Sequence, residues 1–513
     1  MDESSPLLNS GQPHANQEVK EGISKIFLLA TMTGTFLAMA DESFVLSNSE
    51  EIGGQFRQSS FGPWILCSYN LGYCVALPLY GYLCNTCGHK PILLAALTTF
   101  AFGSLITGVA VSMPMLIAAR VIAGVGGSGL VDVVSIMIND LLPISEVAVL
   151  RGYLSFVSMV GVCSGSPLGG LLMDSIGWRW SFAGQVPIIL VILLITALQC
   201  PRTSGCNSRQ GEFRQLDVLG LSFMTAAIGS LVILLQIIQQ SRMKDNLWVA
   251  ALFVVFLLST VSLVFTEVFY AKDPLIPIRE IKRNGSGVLC LLQTVIMFAQ
   301  FALIANLATF FVRIRQVNNS TAGLVLLPLA LAVALGSVGA GHIIKKYIFT
   351  SFFAVILAKA SYTIAGLLWR QSPSYLGLIP ASLGSLGVGS LVAAQFVAIS
   401  VRTPSEHANS SITTYWLAQQ LGMILGVAVA ALLSQRVLAD ALQSLLKGLP
   451  NSSEIIKTVL NDNRALPSLP KPVQGLVRTA YLDSFQSVLI LAVSGTALGL
   501  LIVIFMREYP IDT

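Results

Sequence analysis

Charge is scarce in this chain: Asp, Glu, Lys and Arg make up 11% of its 513 residues, where an ordinary soluble domain carries about 25%. With a hydrophobic content of 54%, that shortage excludes a soluble globular protein. The alternating segments of a transmembrane β-barrel, about ten residues each, are missing as well. The leading stretch MDESSPLLNSGQPHANQEVK has no basic region followed by an apolar one, so it is not read as a cleaved signal peptide, and the first apolar span is expected to serve as the signal. The eight cysteines (67, 74, 84, 87, 163, 200, 206 and 290) fall in apolar runs or at their expected cytosolic ends, which argues against a disulfide framework. Cys84-x-x-Cys87 has no second pair, so no metal site is expected. No H-E-x-x-H or nucleophile-elbow motif is present, which excludes the usual intramembrane enzymes, and no cofactor is implied. The net charge of +5 requires no nucleic-acid partner, because cytosolic loops of membrane proteins are rich in Lys and Arg.

What the chain has in quantity is long apolar runs. They lie near 26–47, 61–82, 91–112, 115–138, 152–173, 179–200, 217–239, 247–269, 287–311, 322–344, 348–369, 375–400, 409–434 and 484–506. Each is long enough to cross a hydrocarbon layer of about 30 Å as a helix of about 20 residues. The expectation is therefore an all-α polytopic protein with about fourteen transmembrane helices embedded in a lipid bilayer. Fifteen Lys and Arg residues fall in short loops on the side of the amino terminus and seven on the other, which puts both termini in the cytosol. The segment 435–483 is then a long luminal loop, and the sequons at Asn319 and Asn451 face the lumen or exterior as candidate glycosylation sites.

Several short motifs carry chemistry or packing. GYLCNTCGHKPIL (81–93) joins the second and third spans, RVIAGVGGSG (120–129) lies in the fourth, and GVCSGSPLGG (161–170) lies in the fifth. In the last, Gly161, Gly165 and Gly169 allow close helix approach in lipid, and Pro167 adds a bend that neighbouring helices accommodate. The loop resembles the major facilitator signature G-x-L-a-D-r-x-G-r-k: Gly81, Leu83, Gly88 and Lys90 match, while Asn85 replaces the acid, Thr86 the first base and His89 the second. Arg120 and Gly124 fit that family's R-x-x-q-G-x-g, with Ala123 in place of Gln. The fifth-span motif, followed by Gly177-Trp-Arg-Trp-Ser-Phe182, is similar to the fungal 14-span drug:proton antiporter branch. Asp41-Glu-Ser-Phe-Val45, Leu216-Asp217-Val-Leu-Gly220, Pro274-Leu-Ile-Pro277 and the pair Gly422 and Gly426 extend the resemblance to about residues 26–507.

The resemblance implies a major facilitator fold. A cytosolic tail (1–25) precedes an amino-terminal six-helix bundle (26–200), a linker with two extra spans (201–286), a carboxy-terminal six-helix bundle (287–507) and a short tail (508–513). Substrate would sit between the bundles near the midplane. In that family the acid and bases form a charged latch between helix ends; Asn85 in the acid's place removes its charge and keeps only hydrogen-bonding capacity, and Gly81, Asn85, Gly88 and Lys90 stand as the candidate conformational motif.

Ionisable side chains inside spans are functional candidates by default. Asp41 lies ~24 Å beyond Lys25 at the helical rise, and Arg120 lies roughly 9 Å into its span from the luminal side. They share a depth, and the family fold brings their helices to one cavity, so Asp41 and Arg120 are the candidate proton-coupling pair. Dehydration favours a neutral carboxyl and a nearby guanidinium favours a charged one; a conformational change that alters their contact loads and releases a proton. Candidate substrate contacts follow. Glu42 points about 100° away from Asp41 and is either a bundle-interface or a luminal-mouth residue. Asp132 is either a cavity floor or a hydrated helix end. Gln293 and Gln300 share a helix face and either contact substrate or join helices. Lys359 either receives a substrate carboxylate or acts as a tethered counter-charge. Gln419 stands where relatives in the drug branch often carry Arg.

Glu3-Ser-Ser-Pro-Leu7-Leu8 fits an acidic dileucine signal that a sorting adaptor would read. Within the branch, the chain is most like the vacuolar amino-acid transporters of fungi, and the sorting signal in the tail favours that compartment. The expected function is proton antiport of amino acids, chiefly Lys, Arg and His, from cytosol into the vacuole by a monomer. Plasma-membrane drug export is the first alternative, and a non-transporting nutrient receptor of the same fold is the second.

Overall fold

The computed structural model describes residues 24–56, 62–141, 144–201, 217–240, 246–270, 276, 278–317, 319–343, 347–370, 374–403, 408–447, 452–461 and 466–506. Among them every regular element is helical, as it must be where lipid offers no partner to a backbone N–H or C=O. The first group comprises α1 (Lys25–Gln55), α2 (Gly62–Cys87), α3 (His89–Gly108), α4 (Met113–Leu141), α5 (Ile144–Ser175), α6 (Trp178–Ala183) and α7 (Gln185–Gln199). A hairpin of α8 (Val218–Gln240) and α9 (Asn246–Phe265) follows, then the short α10 (Ile278–Arg283). The second group is α11 (Ser286–Arg315), α12 (Asn319–Leu324), α13 (Leu327–Ile343), α14 (Tyr347–Leu368), α15 (Leu378–Arg402), α16 (Ala408–Leu445), α17 (Ser452–Asn461) and α18 (Lys471–Ile504).

Eleven helical stretches are long and apolar enough to cross a membrane, among the described residues. The expected first, second and seventh spans fall on α1, α2 and α8, which are helical but outside that set. Glycine ends elements where the chain must turn: Gly88 (φ 80°) separates α2 from α3, and Gly177 (φ 82°) separates α5 from α6, backbone settings that an L side chain resists.

Each group has its own apolar core. One gathers Tyr69, Phe100, Val133 and Ile192 from the amino-terminal helices; the other gathers Leu292, Phe311, Tyr362 and Phe485 from the carboxy-terminal ones. The bundles meet where α5 packs on α12 and α13 and where α2 packs on α16. The α8–α9 hairpin rests on α2 and α16, while only Ser259 of the apolar stretch Leu247–Phe265 is buried; a helix that apolar with so little protein cover is suited to lipid.

The segment 435–483, expected as a long loop, is largely helical. α16 runs on to Leu445, α17 occupies 452–461 and α18 begins at Lys471. The reason is burial: Leu438, Leu442, Val459, Leu466, Val473 and Val477 all enter the carboxy-terminal core, which a reading based on charge-free runs does not detect. Likewise α1 continues to Gln55, anchored by Ile52 in a cluster with Phe44, Trp178 and Phe182 and by a 2.7 Å hydrogen bond from Trp178 Nε1 to Gln55 Oε1.

Glycine sets the closest helix contacts. A Cβ on Gly165 of α5 would lie 2.3 Å from the Ala40 carbonyl of α1, and one on Gly161 would lie 2.7 Å from that of Phe36. The carboxy-terminal bundle repeats the device: Cβ atoms on Gly422 and Gly426 of α16 would lie 2.3 Å and 2.4 Å from the Thr294 and Phe298 carbonyls of α11. Gly165→Val and Gly426→Val are expected to lower thermal stability in detergent by at least the roughly 1–3 kcal/mol of an overpacked core, whereas Gly339→Ala, whose Cβ meets nothing within 4 Å, leaves it unchanged. Equal melting midpoints for all three proteins would contradict this packing.

Candidate functional site

Asp41 on α1 and Arg120 on α4 meet inside the amino-terminal bundle. Arg120 Nη1 donates to Asp41 Oδ2 at 2.5 Å, and neither side chain has any solvent exposure. Gln185 Nε2 of α7 donates to the other carboxylate oxygen, Oδ1, at 3.2 Å. The guanidinium carbon lies 4.4 Å from the Tyr69 ring centroid and 5.2 Å from that of Phe182, so cation–π attraction replaces part of the lost hydration, while Nε and Nη2 are buried without a protein partner. Tyr69 is fixed in turn, its hydroxyl donating to the Ala38 carbonyl at 3.1 Å. The close approach of α5 to α1 at Gly161 and Gly165 braces the same stretch from the opposite side, and Ser43 Oγ donates to the Val162 carbonyl there.

Glu42, next along α1, turns to α2 and hydrogen-bonds the Asn70 side chain. Its Oε2 is buried without a protein partner. Asp132 is wholly buried on α4, within electrostatic reach of Tyr73, Tyr80 and Cys84. It is thus an interior residue rather than a hydrated helix end. Among the described residues, the bundle interior holds three carboxylates (Asp41, Glu42 and Asp132) and one guanidinium (Arg120).

The carboxy-terminal bundle is different in kind. Among its described residues no charged side chain is buried. It presents amides instead: Gln293 Nε2 donates to Gln419 Oε1 at 2.7 Å, and Gln300 Nε2 donates to Ser385 Oγ at 3.0 Å while its Oε1 accepts from the Tyr362 hydroxyl. The structure therefore brings Gln293 to Gln419 but gives Gln300 a separate set of partners. Lys359 joins neither group. It is half-buried on α14 beside the exposed Ile356, Ala360 and Thr363, while the core-facing side of that helix carries Val355, Ala358 and Tyr362. A lysine long enough to reach water along an apolar surface is accommodated at such a position.

The loop after α2 is held by a pair that the sequence did not single out. His89 Nε2 lies 3.0 Å from Asp140 Oδ2 at the end of α4, so the histidine in the place of a base finds its acid on the neighbouring helix. Gly81 faces the other bundle, and a Cβ there would lie 2.8 Å from Thr413 Cγ2 of α16. Pro167 makes a second contact between bundles, against Gly323 of α12. Gly169 is buried in α5 and Lys90 is half-buried at the start of α3. Asn85 lies in α2 and Asn319 opens α12, but the side chains of both are outside the described set; Glu3, Leu7, Leu8 and Asn451 lie outside the described residues altogether. None of the seven described cysteines forms a disulfide.

Asn70, Gln185, Tyr69 and Phe182 escaped the sequence reading as site residues because each is uncharged and they come from three helices, α2, α6 and α7. Phe182 carried a signal as part of the Gly177-Trp-Arg-Trp-Ser-Phe182 run, and Tyr69 as the end of Trp64-Ile-Leu-Cys-Ser-Tyr69 in the second span, a further match to the same branch.

Comparison with known proteins agrees with this architecture. A vacuolar membrane amino acid uptake transporter, fnx2, of Schizosaccharomyces pombe is 28% identical over 94% of this chain and 85% of its own length. The multidrug resistance protein fnx1 of the same yeast is 26% identical over 94% of this chain and 93% of its own. In fold, the chain is similar to the crystal structure of the human organic anion transporter MFSD10, with a TM-score of 0.58 at 14% identity, covering 91% of this chain and 99% of that one. The family model described as Major Facilitator Superfamily matches residues 31–427. A match that takes in the amino-terminal bundle, the linker and most of the carboxy-terminal bundle places the chain in its class: it belongs to the Major Facilitator Superfamily of membrane transporters.

Proposed function

We propose that this protein is a proton antiporter that carries amino acids, basic ones (Lys, Arg and His) foremost, from the cytosol across the vacuolar membrane by alternating access. The observation that carries the reading is the interior of the amino-terminal bundle, which among the described residues holds three carboxylates, Asp41, Glu42 and Asp132, and one guanidinium, Arg120. An excess of buried acid attracts cations and is costly without them. The relative named as a vacuolar membrane amino acid uptake transporter supports the amino-acid class and the compartment.

Proton coupling is assigned to the Asp41–Arg120 pair. Arg stays charged throughout, so the exchangeable proton belongs to the carboxyl. While Asp41 is ionised, the contact ties α1 to α4; a proton on Asp41 removes the charge that Arg120 holds and frees the two helices to shift. Fourteen spans complete the proposal, with α1, α2 and α8 added to the eleven more apolar ones. An adaptor reading Glu3, Leu7 and Leu8 would deliver the protein to the vacuole, and Asn319 and Asn451 are its candidate luminal glycosylation sites.

Vacuolar vesicles from cells making the protein are expected to take up labelled Lys, Arg and His when ATP drives proton pumping, and a protonophore should abolish the uptake. Intact proton pumping without uptake would sink the amino-acid reading, and drug export from cells with the protein at the plasma membrane would replace it with the activity in the name of the second relative. Asp41→Asn is expected to reduce proton-driven uptake to background while the protein still reaches the vacuole; undiminished uptake would remove Asp41 from the proton path.

A further inference from the structure

Gln395 of α15 has no solvent exposure. Its Oε1 accepts from the Tyr415 hydroxyl of α16 at 3.4 Å, and its Nε2 has no protein partner. One helical turn further along α16, about 6 Å by the helical rise, Gln419 accepts from Gln293, whose own Oε1 is also without a protein partner. A free amide donor and a free amide acceptor therefore flank a single turn of α16. Trp416 and Leu417 of that turn pack against the core of the amino-terminal bundle, which places the turn where the two bundles face each other. Buried amide groups left unpaired are unfavourable and rare, and two on adjoining helices mark a place that a ligand can complete.

Electrostatics fixes which part of a ligand belongs there. The amino-terminal bundle carries Asp41, Glu42 and Asp132 and repels a carboxylate. Its one guanidinium gives Nη1 to Asp41 and lies near the Tyr69 and Phe182 rings; its Nε and Nη2 have no protein partner, but its charge is offset by Asp41 and the bundle stays net acidic. Across the interface no described buried side chain is charged, so a carboxylate meets only neutral dipoles. We infer that Gln395 donates to the carboxylate of a bound amino acid, with Gln293 Oε1 accepting from its α-ammonium group, so that the substrate lies with its head in the carboxy-terminal bundle and its side-chain cation toward the amino-terminal acids. This assignment rests on the amino-acid reading above. A neutral donor holds the carboxylate without a buried ion pair that would have to break at each release, and a site built around an unpaired donor rejects analogues that lack the matching acceptor.

Arginine and its decarboxylated analogue agmatine test the assignment in vesicles, through the KM for labelled arginine and the inhibition constant of agmatine. Gln395→Leu is expected to raise the arginine KM by about tenfold or more, on the scale of a lost hydrogen-bonding contact, and to leave agmatine inhibition unchanged. Gln395→Glu, which keeps an acceptor for Tyr415 but opposes a carboxylate, should weaken arginine further and strengthen agmatine. An unchanged arginine KM in both variants overturns the assignment, and so does an equal loss for arginine and agmatine, which marks a packing defect. If the unaltered protein moves no amino acid, the functional reading fails first and this inference falls with it; normal arginine transport with insensitive variants defeats the inference alone.

Discussion

A guanidinium and a carboxylate 2.5 Å apart, both without solvent exposure, set the terms for the amino-terminal bundle. Burying either ion alone is strongly unfavourable, and breaking such a pair by removing one partner typically costs about 3–5 kcal/mol. The pair is tolerated because α7 supplies Gln185 to the second carboxylate oxygen and because the Tyr69 and Phe182 rings lie within cation–π reach of the guanidinium. Four helices (α1, α2, α4 and α7) and the short α6 must therefore keep their places for one contact to exist. The glycines of α5 act on the same point, since a helix pressed backbone to backbone against α1 at Ala40 leaves Asp41 little freedom to turn elsewhere.

The two bundles share a packing device and divide the chemistry. In each, two glycines four residues apart let one helix lie against the carbonyls of another: α5 on α1, and α16 on α11. Among the described residues, only the first bundle then fills its interior with charge, whereas the second fills it with amides and hydroxyls. Charge suits proton binding and long-range attraction of cations; neutral dipoles suit directional hydrogen bonds whose strength does not depend on a protonation state. Under the proposed proton antiport, these two kinds of contact fall on opposite sides of the interface between the bundles.

Much of the fold was legible because lipid imposes simple rules. Charge-free runs marked the helices, and the positions of Asp41 and Arg120 could be compared by counting residues from opposite ends of their spans. The rules failed where burial came from protein rather than lipid. The helices across 435–483 carry polar residues among their apolar ones, so no charge-free run announced them, yet Leu438, Val459 and Val477 are packed in the core. Lys359 looked central by its place in the sequence and proved to lie on the flank of α14, because depth along a helix says nothing of which face is turned inward.

The sequence by itself determined that the chain is a helical membrane transporter of this superfamily, which residues are charged within its spans, and that Asp41 and Arg120 lie at one depth. Those are properties of composition, spacing and local pattern. The tertiary structure alone decided that Gln185, Tyr69 and Phe182 complete the ion pair, that His89 finds Asp140, and that Gln395 is left with a free amide. Each of those outcomes depends on the relative rotation of helices far apart in the chain, which is set by packing and carries no local signature.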